Sequence, residues 1–121
     1  MLERLFVYGT LAPGRPNAHV LSGVAGCWQR GWVRGRLVQA GWGAEYGYPG
    51  IVLNATAELV EGFLFSSDTL WREWARLDEF EGGQYERVEA RVQLENGQFA
   101  QAFTYQLKLQ EPSVTSRQPP A

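Results

Sequence analysis

The chain has 121 residues, of which 45% are apolar and 20% are charged, and its formal net charge is −2. This length and composition predict one globular domain and exclude a disordered chain. No apolar run is long enough for a membrane-spanning helix and no signal peptide is visible, so we expect a cytoplasmic protein. Because the charge balance gives no broad basic surface, we expect neither nucleic acid nor a membrane as a partner.

Histidine and cysteine are too scarce for several kinds of site. His19 and Cys27 each occur once, which excludes an internal disulfide and a zinc site built from Cys and His. No Gly-x-Ser-x-Gly motif accompanies His19, so a serine-histidine triad is not indicated. We therefore expect no metal and no cofactor, and any chemistry must come from carboxylates, tyrosines, hydroxyls or backbone groups.

The first half of the chain predicts short strands separated by loops. The predicted strands are residues 5–8, 32–38, 51–53 and 59–65. Residues 17–22 predict a short helix with Asn17 as its N-cap. Residues 40–50 form a loop rich in glycine and aromatic residues.

The second half begins with a predicted amphipathic helix. It starts at Ser66 or Ser67 and stops at Gly82-Gly83. Its apolar stripe follows the spacing i, i+3, i+4, i+7 and comprises Leu70, Trp71, Trp74, Leu77 and Phe80.

A β-hairpin is predicted after the helix. Residues 88–94 alternate between apolar and polar side chains, Asn96-Gly97 gives the turn, and residues 99–107 return with Phe99, Phe103, Tyr105 and Leu107 on one side. Residues 110–121 are almost entirely polar and predict a disordered tail, which leaves residues 1–109 for the domain. The elements indicate an α+β fold, and Gly35 and Gly62 inside strands predict a strongly curved sheet.

Glu81 is the carboxylate to which the helix pattern draws attention. At about 100° per residue, it lies on the same face as Leu70, Trp74 and Leu77. Desolvation and the negative end of the helix dipole both raise the pKa of a carboxyl group there, which makes Glu81 a candidate general base or acid. The alternative is that the helix frays at Phe80 and that Glu81 turns into solvent.

Two further features involve tyrosines. In the turn Tyr8-Gly9-Thr10-Leu11, a glycine directly after a strand allows successive backbone N–H groups to form an anion-binding nest, although a plain turn fits these four residues as well. Tyr46, Tyr48 and Tyr85 are interpreted as structural side chains. Tyr105 is the exception, because its strand parity places it on the apolar, inward face.

Several motifs, in this order, resemble the γ-glutamylcyclotransferase-like family, which includes AIG2-like and γ-glutamylamine cyclotransferase-like small domains. They are Phe6-Val7-Tyr8-Gly9-Thr10-Leu11, Pro16-Asn17-Ala18-His19-Val20-Leu21, Tyr48-Pro49-Gly50, Val60-Glu61-Gly62-Phe63-Leu64-Phe65 and Leu77-Asp78-Glu79-Phe80-Glu81-Gly82 followed by Tyr85-Glu86-Arg87. The resemblance extends over residues 5–107.

The resemblance implies a small mixed β-barrel with one long and one short flanking helix. It also implies an enzyme that cyclises a small γ-glutamyl substrate to 5-oxoproline without a cofactor, as a monomer or weak homodimer. The implied roles are a proton acceptor at Glu81, substrate binding through the backbone at Tyr8, Gly9, Thr10 and Leu11, and a pocket wall at Tyr105. Strand parity puts Arg87 on the polar face, so it is not assigned to catalysis.

Two other function classes stay open at this point. The first is a non-catalytic module of the same fold that binds a small carboxylate or amide, with residues 40–50 capping its pocket. The second is an interaction protein with an exposed aromatic patch formed by Trp28, Trp32 and Trp42.

Overall fold

The computed structural model describes residues 2–9, 11–15, 17–39 and 49–108. The strands in these ranges are β1 (Glu3–Val7), β2 (Cys27–Val38), β3 (Gly50–Leu53), β4 (Leu59–Ser67), β5 (Tyr85–Leu94) and β6 (Phe99–Leu107). The helices are α1 (His19–Ser22) and α2 (Trp74–Glu81), with a 3₁₀ turn at Leu70–Arg72 before α2. Thr10, Tyr46, Tyr48 and the predicted tail lie outside the described residues.

The strands form a closed, mixed barrel. β1 pairs with β4, β4 with β2, β2 with β5 and β5 with β6, all antiparallel, and a parallel pairing of Leu5 with Phe103 joins β6 back to β1. The sixth strand, β3, runs antiparallel to β2 and parallel to β6. The predicted α+β fold with a curved barrel and two flanking helices is confirmed.

The barrel strands bury side chains on both faces, and successive residues alternate between two clusters. The inner cluster contains strand residues only: Phe6, Val33, Ile51, Leu64, Ala90, Val92 and Ala102. The outer cluster joins the strands to the helices and includes Leu5, Val7, Leu21, Phe65, Trp74, Leu77, Tyr105 and Leu107. Helix α2 therefore covers the outside of the barrel, and a residue of β6 can be buried on either face.

Gly62 lies where β4 passes closely over β1. A Cβ atom at this position would come within 2.5 Å of the Val7 carbonyl oxygen and 2.6 Å of the Phe6 ring. Its register partner on β2 is Gly31. The glycine that predicted a bend thus permits the close packing of strands that a small barrel requires.

The predicted start of the long helix is wrong. Ser66 and Ser67 continue β4, where they pair with Arg4 and Glu3 of β1. The Ser67 hydroxyl donates to the Ala25 carbonyl at 2.6 Å and accepts from the Thr69 amide at 3.1 Å, so it serves a turn and not a helix N-terminus. Helix α2 begins only at Trp74.

The late start of α2 also corrects the predicted apolar stripe. Trp71 belongs to the 3₁₀ turn and its side chain is 60% exposed, whereas Leu70, Trp74 and Leu77 are buried. Because the 3₁₀ turn ends at Arg72, before α2 begins, Trp71 does not share the regular helical face of Trp74 and Leu77.

Three smaller predictions also change. β2 begins at Cys27 and not at Trp32, because residues 27–34 pair with β4. The short helix begins at His19, and Ala18 occupies the N-cap position predicted for Asn17. Phe99, predicted on the buried side of β6, is 51% exposed at the end of the hairpin. Neither helix in the described ranges is long and apolar enough to span a membrane.

Candidate active site

Helix α2 places Glu81 in the interior. The buried residues of this helix are Trp74, Leu77 and Glu81, and Glu81 is only 9% exposed. The predicted burial on the apolar face is confirmed, and the alternative in which the helix frays at Phe80 is wrong. Glu81 is the last residue of α2, and Gly82 follows it with φ 86° and ψ −178°.

Burial changes the acidity of Glu81. Desolvation raises the pKa of its carboxyl group from 4.5 to about 7, because the charged form loses the stabilisation of water. The Glu81 charge also contributes to the raised pKa of the Tyr8 and Tyr105 phenols, although burial is the larger cause in both. The carboxylate therefore lies within electrostatic reach of both tyrosines, and it can take up and release a proton near neutral pH.

The Tyr8 phenol is hydrogen bonded to the backbone of two strands. Its hydroxyl donates to the carbonyl oxygen of Tyr105 on β6 at 2.6 Å. The same oxygen accepts from the amide of Ile51 on β3 at 3.0 Å. The side chain predicted to lie at the substrate loop thus spans the contact between β3 and β6.

The Tyr105 phenol is hydrogen bonded to helix α2. Its hydroxyl donates to Asp78 Oδ1 at 2.6 Å, one turn before Glu81. Arg87 on β5 donates to the same carboxylate through Nε at 3.0 Å and Nη2 at 3.2 Å, which is a two-point ion pair. Asp78 therefore joins α2 to both strands of the β5–β6 hairpin.

Aromatic contacts surround this ion pair. The Arg87 guanidinium lies 4.5 Å from the centre of the Trp74 ring and 5.3 Å from that of Phe103. The Trp74 indole N–H donates to Glu3 Oε1 on β1 at 2.9 Å. Arg87 is thus a half-buried residue that binds helix α2 to β5. Strand parity predicted only a solvent-exposed polar face for it and did not indicate this role. The only sequence signal for it was its place in the Asp78…Arg87 motif.

The loop after β1 has one residue packed in the core, Leu11, and one that faces open space, Gly9. Leu11 is buried in the outer cluster, and the Ala12 amide closes a turn onto the Gly9 carbonyl at 3.2 Å. Gly9 does not have a left-handed φ, and a Cβ atom built on it meets no atom within 4 Å. Thr10 lies outside the described residues. Neither contact nor conformation therefore requires glycine at position 9, and the backbone there has room for a ligand to approach.

The comparison with known families fits this arrangement. A protein-family profile described as "Gamma-glutamyl cyclotransferase, AIG2-like" matches residues 5–120. The chain belongs to this family. No curated protein matches the chain.

Solved structures similar to this chain have the same fold. A crystal structure of an AIG2-like protein from Mus musculus is 30% identical with a TM-score of 0.66, and the match covers 87% of this chain and 76% of that chain. YkqA from Bacillus subtilis is 25% identical with a TM-score of 0.69, covering 99% of this chain. This chain spans only 44% of the length of YkqA.

A structure described as "Gamma-glutamyl cyclotransferase" is 18% identical with a TM-score of 0.59, and the match covers 89% of this chain and 68% of that chain. At that identity the likeness concerns the fold alone. The AIG2-like chain thus shares a barrel with that protein, and the chemistry must be argued from its own residues.

A cavity of about 340 Å³ lies elsewhere on the AIG2-like barrel, between β2 and β5. Its lining includes Trp32, Arg34, Leu59, Arg91 and Phe99. Glu81 and Tyr105 do not line this cavity. The cavity lies near the turn of the β5–β6 hairpin, whereas Glu81 lies just before the start of β5, at the other end of the hairpin.

Two of the three tryptophans of the predicted aromatic patch, Trp28 and Trp32, lie on β2. Trp32 lines the cavity between β2 and β5, while Trp28 packs on Phe65 with ring centres 4.6 Å apart and is 38% exposed. Trp42 lies outside the described residues. Among the described residues there is also no cluster of three or more His, Cys, Asp or Glu side chains that would suit a metal ion.

Proposed function

We propose that this protein is a γ-glutamylcyclotransferase that converts a γ-glutamyl amide to 5-oxoproline and a free amine or amino acid. The observation that carries the proposal is the burial of Glu81 at the end of α2, with a pKa of about 7 and two tyrosines within electrostatic reach. Membership of the family supports the same chemistry.

The reaction suits a site with few chemical groups. A γ-glutamyl compound carries its own nucleophile, the α-amino group, and attack on the γ-carbonyl closes a five-membered ring. The enzyme has to fold the chain back so that nitrogen meets carbonyl, which is a proximity effect. No enzyme nucleophile and no cofactor take part in this scheme.

Glu81 is assigned the proton transfers. Its carboxylate removes a proton from the α-ammonium group, and the freed nitrogen attacks the carbonyl carbon to give a tetrahedral intermediate. The bond to the departing nitrogen then breaks as Glu81 returns the proton to it. The second proton lost from the attacking nitrogen also ends on the departing amine, so the products are a neutral lactam and an ammonium ion. A pKa of about 7 suits both halves of this exchange.

The backbone after β1 is assigned to the substrate. Open space beside Gly9 supports an approach of the glutamyl group to the N–H groups of residues 9–11. These donors would hold either the substrate carboxylate or the oxygen that becomes negative in the tetrahedral intermediate.

A screen of γ-glutamyl amino acids, glutathione and γ-glutamyl amines for 5-oxoproline release tests the proposal. We expect at least one substrate to be turned over, and we expect Glu81→Gln to abolish the release while the protein stays folded. Glu79→Gln is the matched control, since Glu79 is an exposed carboxylate of the same helix. Equal turnover by Glu81→Gln and the parent protein would refute the assignment of the base.

A non-catalytic ligand-binding protein of the same fold is the alternative outcome. It predicts that glutamyl compounds raise the melting temperature without any product being formed. Product formation by the parent protein decides against it.

The cellular setting is part of the proposal. The exposed free thiol of Cys27 suits a reducing compartment such as the cytoplasm. We expect a monomer or a weak homodimer, which sedimentation at increasing protein concentration measures directly.

A further inference from the structure

We infer that Tyr8 is a positioning residue of the proposed active site: its hydroxyl bridges an amide of β3 and a carbonyl of β6, and thereby fixes Tyr105 and the end of the barrel beside Glu81. This inference rests on the proposed function only for its consequence in catalysis. The bridge itself is a property of the fold.

The register of the two strands explains why the hydroxyl fits there. β3 and β6 run parallel and share one register pair, Ile51 with Gln106. Because the bonds of a parallel ladder are slanted, the Ile51 amide is directed at the carbonyl of Tyr105, the residue before its register partner. The Tyr8 oxygen accepts from this amide at 3.0 Å and donates to this carbonyl at 2.6 Å.

The next amide of β3 on the same side also uses a side chain. The Leu53 amide donates to Oε1 of Gln106 at 3.0 Å. Side-chain oxygens therefore join β3 to β6 at two successive positions. The pairing of β3 with β6 therefore depends on the Tyr8 and Gln106 side chains, whereas a regular β-ladder is held by backbone hydrogen bonds alone.

The hydroxyl is thereby occupied within the protein. Its single proton is used in the short bond to Tyr105, so it is not available to donate to a substrate. Its ring packs against the inner cluster, with the Phe6 and Tyr8 ring centres 6.4 Å apart. The hydrogen bonds of the hydroxyl to Ile51 and Tyr105 are therefore the contacts through which we expect it to position the site.

Tyr105 links this bridge to the catalytic helix. Its carbonyl receives the bond from Tyr8, and its phenol donates to Asp78 one turn before Glu81. The hydrogen bonds at the two ends of Tyr105 thus connect β3 and Tyr8 to α2 through the covalent structure of this residue. Loss of the Tyr8 hydroxyl would let the two ends of this connection move relative to each other.

The experiment is Tyr8→Phe, which removes the hydroxyl and keeps the ring. We expect the Ile51 amide to exchange its hydrogen at least about tenfold faster relative to amides of the β5–β6 ladder, because its bridge is lost. Tyr105→Phe is the control, since it removes the bond to Asp78 but leaves the backbone carbonyl that accepts from Tyr8. An Ile51 exchange rate that is unchanged in Tyr8→Phe would overturn the inference.

Kinetics distinguish positioning from contact with the substrate. We expect kcat of Tyr8→Phe to fall on the order of tenfold, measured below its melting temperature, while KM changes less. A higher KM at unchanged kcat would mean that the hydroxyl touches the substrate, and would contradict the inference. A reduced melting temperature with normal kinetics would mean a purely structural role and would contradict it too.

A measurement on the parent protein covers the case in which Tyr8→Phe does not fold. A bridging hydroxyl proton exchanges slowly, so it should give its own NMR resonance with a nuclear Overhauser effect to the Ile51 amide. The absence of that cross-peak would overturn the bridge. The Ile51 exchange rate and the hydroxyl cross-peak are both measured without substrate. They therefore test the bridge even if the protein proves to have no cyclotransferase activity.

Discussion

The Tyr105 hydroxyl and the Asp78 carboxylate are joined by a hydrogen bond of 2.6 Å that ties β6 to helix α2 three residues before Glu81. Arg87 binds the same carboxylate from β5. The position of Glu81 relative to the barrel is therefore set by neighbours that are themselves hydrogen bonded, which is the arrangement that an accurately placed base requires.

The bond between Tyr105 and Asp78 should be measurable as a coupling energy. In a double-mutant cycle of Tyr105→Phe and Asp78→Ala, we expect a coupling of about 1–2 kcal/mol in the free energy of unfolding, since the acceptor is a charged group. Urea denaturation of the four proteins provides the values. The cycle of Arg30→Ala and Glu61→Ala is the control, because the two side chains of that ion pair are 52% and 49% exposed and should couple by less than about 0.5 kcal/mol. Equal couplings in the two cycles would contradict the prediction.

The acidity of Glu81 should appear in the pH dependence of activity. The base must be deprotonated to accept the substrate proton, and burial raises the pKa of Glu81 to about 7. We therefore expect kcat/KM to rise with pH and to level off above about pH 7. Steady-state rates of 5-oxoproline release between pH 5 and pH 9 measure this limb. A limb near pH 4.5 would mean that the base in the free enzyme is a solvated carboxylate.

The same group should make stability depend on pH. Between about pH 4.5 and pH 7 the unfolded chain has released the Glu81 proton while the folded protein still holds it, so stability falls as pH rises through this window. The full effect corresponds to roughly 3 kcal/mol, from about 1.4 kcal/mol per unit of pKa. We expect Glu81→Gln to lose this dependence and to be more stable than the parent protein at pH 8.

Denaturation at pH 5 and pH 8 measures the difference. Glu79→Gln should keep the dependence of the parent protein, because Glu79 is exposed. If Glu81→Gln and the parent protein lose the same stability between the two pH values, the pKa of Glu81 is not raised by folding.

The sequence predicted the part of the site that depends on local periodicity. Glu81 follows Trp74 and Leu77 at helical spacing, and a face defined by such spacing does not depend on where the helix begins. This is why its burial was predicted although the predicted start of the helix, at Ser66 or Ser67, was about two turns too early. Serine is a common helix N-cap, which is why Ser67 was predicted to start the helix. Its hydroxyl does accept a hydrogen bond from a backbone amide, but that amide belongs to Thr69 in a turn.

The remaining part of the site depends on contacts between distant elements. Tyr8 and Tyr105 are 97 residues apart in the chain, and their hydrogen bond exists only because β1 and β6 close the barrel. Arg87 alternates along β5 with the half-buried Val88, yet its guanidinium lies over the Trp74 ring. Strand parity gives the face of a sheet but not what covers that face, so burial on the outside of the barrel had to be seen in the structure.

Gly82 should be needed for its conformation. Its φ of 86° with ψ of −178° lies in a region that is essentially restricted to glycine, and its amide closes the helix onto the Asp78 carbonyl at 3.1 Å. We expect Gly82→Ala to lower the free energy of unfolding by about 1–3 kcal/mol. Gly83→Ala is the matched control, because Gly83 has no left-handed φ and a Cβ there meets no atom within 4 Å. Equal stability of the two variants would contradict the prediction.

Gly9 should be needed for the ligand and not for the fold. Because its φ is not left-handed and a Cβ there meets no atom, we expect Gly9→Ala to keep or slightly raise the melting temperature. If the substrate approaches the backbone at this position, the added methyl group should raise KM by about tenfold or more, a loss of roughly 1.4 kcal/mol in binding. Gly23→Ala is the control, since Gly23 also has open space and no left-handed φ. We expect both variants to be folded and only Gly9→Ala to bind poorly. An unchanged KM in Gly9→Ala would remove the backbone of this loop from the substrate site, while a large loss of stability would mean that position 9 serves the fold.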